Sequence, residues 1–138
     1  MSVEAFALKN KTALVIGASN PIGRAIALAL AEAGASVTIA TTLSRPQETA
    51  ALSLCLTDIR ALGRQGNAHT LNAANENEVA AVIQNCVTDL GRLDILVNAH
   101  DLPFAKPAQE TTLTEWQQVL AVNLTGPYLT CRAAAGPM

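Results

Sequence analysis

Thr12-Ala-Leu-Val-Ile-Gly17, continuing as Ala18-Ser-Asn-Pro-Ile-Gly23, decides the fold. The first part is a short apolar run that ends on glycine. Beyond the turn, Ile22, Ile26, Ala29, Leu30 and Ala33 recur at helical spacing as far as Gly34, so the stretch reads as strand, glycine turn, helix. Pro21 suits the first helical position, and Ser19 or Asn20 can cap or donate there. A glycine turn at that junction lets backbone N–H groups and the positive helix end approach a pyrophosphate. An ordinary strand-to-helix turn has the same outline, so this segment alone leaves its chemistry open.

The same alternation continues outward. Residues 36–41 form a second apolar strand, and after Pro46 the positions Leu52, Cys55, Ile59 and Leu62 mark a second helix that stops at Gly63. A third strand is expected over 68–73. A third helix follows from Asn75, with Glu76 and Glu78 favouring its N-terminus, a buried stripe of Val79, Val82, Ile83, Cys86, Val87 and Leu90, and Gly91 as its stop. Residues 93–98 give a fourth strand whose near-continuous apolar run suits a parallel strand covered on both faces. After a looser stretch with Pro103 and Pro107, Thr112 and Glu115 form a capping box opening a last helix, with a bend expected at Gly126-Pro127 and an end near Gly136-Pro137. Strands alternating with helices imply right-handed βαβ units, hence an α/β, Rossmann-type doubly wound parallel sheet of four strands in the order 3-2-1-4 with helices on both faces. The whole of 1–138 is expected to form one such domain.

Composition narrows the function classes. The 138 residues carry 9 Lys plus Arg against 11 Asp plus Glu, a formal net charge of −2, with 50% hydrophobic and 3% aromatic residues. The core must therefore come from Ala, Leu, Val and Ile. With no run of basic residues there is no electrostatic footprint for nucleic acid or an anionic membrane. The longest apolar stretch, 25–35, is interrupted by Glu32 and falls short of the ~20 residues that span a bilayer. No secretory or transit signal is visible, so a cytoplasmic location follows by default. Cys55, Cys86 and Cys131 are odd in number and widely spaced, which argues against a disulfide framework or a metal site and for packed thiols.

Two more segments belong beside the glycine turn in such a fold: Leu96-Val-Asn-Ala-His100 at the end of the fourth strand, and Val122-Asn-Leu-Thr-Gly126 in the last helix. Together the three resemble the short-chain dehydrogenase/reductase family over essentially the whole chain. There the first motif reads Thr-Gly-x-x-x-Gly-x-Gly, the second Asn-Asn-Ala-Gly, and the third centres on an Asn, here Asn123. The resemblance implies a nicotinamide dinucleotide, NADP or NAD, and hydride transfer to or from an alcohol or carbonyl substrate. It implies that Gly17, Ser19, Asn20, Ile22 and Gly23 line the pyrophosphate and ribose, that Asn72 with Ala73 lies beside the adenine, and that Asn98 and Ala99 run along the ribose. It makes Asn123 the catalytic-site residue that anchors a water in the proton relay. It also implies a homo-oligomer through the 112–135 helix.

This sequence departs from the family pattern at several points. Pro21 stands at the middle Gly and removes one N–H. Ile16 and Val97 replace two polar residues, a packing substitute for a hydrogen bond if the two side chains touch. His100 stands where the family has Gly; a solvated side chain is the ordinary reading there, a contact with the cofactor the other. At the end of the second strand, Thr41 and Thr42 offer hydroxyls, no carboxylate is evident and Arg45 is near, which favours NADP over NAD. The lone Tyr, Tyr128, precedes Arg132 by four residues and falls in the helix before the family's catalytic Ser, so it reads as a packing residue. No Tyr-x-x-x-Lys unit is present, and this chain alone is expected to give no turnover. The expectation is an enzyme's cofactor-binding half; a non-catalytic nucleotide-binding or oligomerising module is the alternative.

Overall fold

The computed structural model describes residues 6–42 and 45–138. Four strands, β1 (Thr12–Ile16), β2 (Ser36–Thr41), β3 (Ala68–Thr70) and β4 (Ile95–Asn98), form one parallel sheet ordered β3-β2-β1-β4. The register sets Ile16 beside Ala40 on one side and beside Asn98 on the other. The helices are α1 (Pro21–Glu32), α2 (Pro46–Ala61), α3 (Glu76–Leu90), α4 (Leu113–Leu120) and α5 (Gly126–Ala135).

Alternation along the strands sorts the core into two layers. Ala13 and Val15 pack with Val37 and Ile39 under α1 and α2. Leu14 and Ile16 face the other way, towards Val79, Val82, Ile83 and Cys86 of α3 and Leu129 of α5. On α1 the sheet-facing residues are Gly23, Ala27 and Ala31, spaced by four, so the helix lies close on the sheet. Ile16 and Val97 therefore do not form the expected packing pair: Ile16 belongs to the α3 layer and Val97 to the α1 layer.

β3 is shorter than 68–73 because the chain turns away at Asn72, whose side-chain oxygen takes the Ala74 N–H at 3.0 Å while Glu78 takes the Asn72 N–H at 2.7 Å. β4 starts two residues late and is half-buried throughout, since it lies at the sheet edge. Just before it, Asp94 accepts from the Thr12 N–H at 2.9 Å and from Arg92; the Arg92 hydrogen bonds lead in holding its carboxyl down at about 2.

The last helix is not one element. A five-residue π turn, Ala121–Thr125, separates α4 from α5. Pro127 has no N–H to give, which frees a carbonyl in the turn before it and favours the wider winding. The Thr112–Glu115 capping box is present, and with the Thr112 backbone foremost, then Lys106, it draws the Glu115 carboxyl down to about 2. Tyr128 is not a packing residue: it is 58% exposed, with the Arg132 guanidinium 5.7 Å over its ring.

Candidate functional site

The site grows from the glycine turn. Gly17 takes φ +98°, and its N–H reaches the Ala40 carbonyl at 2.7 Å. A methyl group placed on it would lie 2.4 Å from the His100 nitrogen and 2.5 Å from the Ala99 carbonyl carbon, so the turn presses directly on the end of β4. A methyl on Gly23 would lie 2.2 Å from the Gly17 oxygen. Both glycines are required by close backbone approach as well as by any ligand.

Asn20 joins these parts. Its Oδ1 accepts from the Gly23 N–H at 2.8 Å, capping α1, and its Nδ2 donates to the Ala99 carbonyl at 2.7 Å. One side chain thus fastens the turn to both the helix and β4. Among the first-turn amides Pro21 has no N–H and that of Gly23 is taken, which leaves Ile22 as the backbone donor open to an anion. Beside it, Ser19 Oγ lies 2.8 Å from Thr41 Oγ1. Thr41 is buried, so it supports Ser19 from behind, and Thr42 is the residue of the pair that reaches the surface.

Two clefts meet at this helix end. One of about 650 Å³ is lined by Asn20, Pro21, Ile22, Asn98, Ala99, His100 and Asp101. The other, of about 330 Å³, runs from Gly17, Ser19 and Asn20 to Thr42, Arg45 and Glu48, and shares His100 and Asp101 with the first. Glu48 was not anticipated: one turn into α2, it brings a carboxylate beside Thr42 and Arg45 where none was expected. Asn72 and Ala73 stand apart. Asn72 is exposed in its own turn, and Ala73 is buried against Gly126.

β4 is bolted to the far helix. Asn98 accepts from Thr130 Oγ1 at 2.8 Å and donates to Cys131 Sγ at 3.6 Å, so its side chain faces α5. Asn123, within the π turn, holds the backbone of Leu102 in both directions, accepting its N–H at 2.7 Å and donating to its carbonyl at 3.1 Å. His100 departs from the solvated reading. It is 8% exposed, its Nε2 lies 3.0 Å from where a methyl on Gly126 would be, and neither ring nitrogen has a hydrogen-bond partner. Burial pushes its pKa down, opposed by the Val122 backbone and by Asp101. On the other side of Asn123 an apolar cleft of about 600 Å³ opens between Leu102, Phe104, Leu113, Trp116 and Val119.

A dinucleotide fits this arrangement. The clefts converge on a helix N-terminus with an open amide, and Gly17, in the wall of the second, leaves no room there for a side chain. The chain is 35% identical to D-threitol dehydrogenase of Mycolicibacterium smegmatis across 96% of its own length and 49% of that protein's. Among solved structures it is similar to an NAD+-bound xylitol dehydrogenase, with a TM-score of 0.87 at 27% identity over 95% of this chain and 49% of that one. It is equally similar to a blue fluorescent protein from a metagenomic library in complex with NADPH, with a TM-score of 0.87 at 27% identity over 95% of this chain and 52% of that one. The chain spans about half the length of the curated relatives it matches. The family model for short chain dehydrogenase matches residues 11–138, so the chain belongs to the short-chain dehydrogenase/reductase family.

Proposed function

We propose that the protein is the cofactor-binding half of an NAD(P)-dependent oxidoreductase that moves a hydride between a nicotinamide cofactor and an alcohol or carbonyl group. The observation that carries this is the meeting of the Gly17–Gly23 turn with the end of β4 across a cleft at the α1 N-terminus. When bound, the nicotinamide supplies or accepts the hydride. The chain's own residues bind and orient. Gly17, Ser19, Asn20, Ile22 and Gly23 hold the pyrophosphate side, with Ile22 giving its amide and Asn20 fixing the turn. Asn98, Ala99 and His100 form the ribose wall, and Asn72 with Ala73 lies towards the adenine. Asn123 anchors water for the proton relay from a π turn kept in place by Leu102. The apolar cleft beside it receives the carbon skeleton of the substrate. No Tyr-x-x-x-Lys unit stands among these residues, so turnover calls for groups this chain does not contain.

At the outer ribose, Thr42 and Arg45 favour the 2′-phosphate of NADP, while Glu48 opposes it. Equilibrium titration followed by nucleotide fluorescence decides between them. Tighter binding of NADPH than NADH, with the difference reduced about tenfold in Arg45→Ala, is expected from the loss of one charged contact. Tighter NADH binding that Glu48→Ala abolishes would assign the site to NAD instead. The three cysteines are free thiols, Cys55 and Cys86 buried, which suits the reducing cytoplasm.

Leu124 of the π turn and Tyr128 of α5 are both exposed, and this apolar surface within 112–135 supports association with a second copy. Light scattering should show a dimer that Leu124→Asp splits; a wild-type chain that stays monomeric at high concentration would remove this reading.

A further inference from the structure

Residues 98–102 run past the helix so that every second one engages it. Asn98 meets Thr130 and Cys131, His100 meets Gly126, and Leu102 meets Asn123. The helix positions step back by four and then three, one turn for each two residues of the facing segment. The outer two of these contacts are hydrogen-bonded. The middle one is a buried imidazole with no partner on either nitrogen, against a glycine that leaves room for nothing larger.

We propose that His100 is a latch: as a neutral ring wedged against Gly126 it keeps the 98–102 segment docked on the π turn and α5, and uptake of a proton undocks that segment. The consequence is functional because the same segment forms a wall of the dinucleotide cleft and seats Asn123. That consequence rests on the dinucleotide reading; the latch itself does not.

The surroundings favour a ring without charge. A charged imidazole buried in this way is costly, and the Val122 backbone and Asp101 offset that cost only in part. From the helix side the ring meets the Gly126 and Val122 backbone, and Ala73, in the loop after β3, lies against the same glycine. The neighbouring charge is Asp101, whose field favours the proton but does not outweigh burial; Arg45 and Glu48 share the cleft with opposite signs. On α3 the carboxylate of Glu76 is paired with Arg132, and that of Glu78 accepts from the Asn72 N–H. The carboxylates held low, Asp94 and Glu115, titrate near 2, far below the range in question. The sign follows. A histidine whose folded pKa lies below its ordinary 6.5 binds a proton more readily once released, so the docked state is favoured above that value and is lost as pH falls below it. Each pH unit in that window costs up to about tenfold in docked population.

Trp116, the sole tryptophan, lines the cleft with Leu102 and Asn123 and reports on docking. Its emission is followed from about pH 8 to about pH 5 with no nucleotide present, in the wild-type chain and in His100→Phe, which keeps a ring but cannot take a proton. A reversible transition with its midpoint below 6.5 in the wild type, absent in His100→Phe, is the expected result. His69 remains in both, so the difference belongs to His100. No wild-type transition, or the same transition in His100→Phe, overturns the latch. Should the phenylalanine be too large, His100→Gln supplies a second route: smaller and unable to titrate, it should leave emission flat with pH. A His100→Gln chain that keeps the wild-type transition also overturns the proposal. If the transition is found but NADPH and NADH fail to bind at any pH, the latch stands and the dinucleotide reading falls.

Discussion

Gly17→Ala is expected to cost the fold about 2–5 kcal/mol and to remove nucleotide binding with it. A φ of +98° costs a residue with a side chain roughly 1–2 kcal/mol. The added methyl would also stand 2.4 Å from a backbone nitrogen and 2.5 Å from a carbonyl carbon, neither of which can rotate aside. Relieving that overlap means parting the turn from β4, at about 1–3 kcal/mol more. Against a total stability of about 5–15 kcal/mol for a domain, this is a severe change. Gly63→Ala provides the control, because Gly63 also has a positive φ, +72°, but open space around it. Urea unfolding should show a small loss for Gly63→Ala and a loss several times larger for Gly17→Ala. Equal losses would mean that backbone conformation alone, and not contact with β4, makes the glycine necessary.

The second large effect falls on Asn20. Removing its side chain in Asn20→Ala deletes a helix cap worth about 1 kcal/mol and strips the Ala99 carbonyl of its donor, for a combined loss of about 2–3 kcal/mol. The aspartate variant separates the two roles. As a helix cap alone Asp equals Asn, yet Asn20→Asp would turn a carboxylate oxygen towards the Ala99 carbonyl where a donor stood. Chemical denaturation should therefore place Asn20→Asp near Asn20→Ala. An aspartate variant as stable as the wild type would show that the bridge to Ala99 contributes nothing.

Much of this architecture is legible in the order of residues. The apolar runs ending on glycine, the stripe on α3 and the capping box at Thr112 follow from local periodicity, and the strand order from the doubly wound pattern the chain resembles. What escapes is contact across the chain. Asn20 and Ala99 are 79 positions apart and Asn123 and Leu102 are 21 apart, so a side chain that caps a helix and clamps a second strand looks like a cap only. Ile16 and Val97 look like partners until the register, which pairs Ile16 with Asn98, sends them to opposite faces. His100 looks solvated until Gly126, 26 residues later, is seen to make room for it. Glu48 was missed for a simpler reason. Attention to the end of β2 stops at Thr42 and Arg45, but the first turn of α2 also borders the cleft.

The central claim is that a nicotinamide dinucleotide lies where the glycine turn meets the end of β4. Titrating NADPH and then NADH into the isotope-labelled chain, and following backbone amides by nuclear magnetic resonance, tests it most directly. Saturable shifts are expected at Gly17, Ser19, Ile22, Ala99 and His100, with Gly63 and Gly91 unmoved. Amides in the turn that do not respond to either nucleotide, or responses confined to α4 and α5, would contradict it.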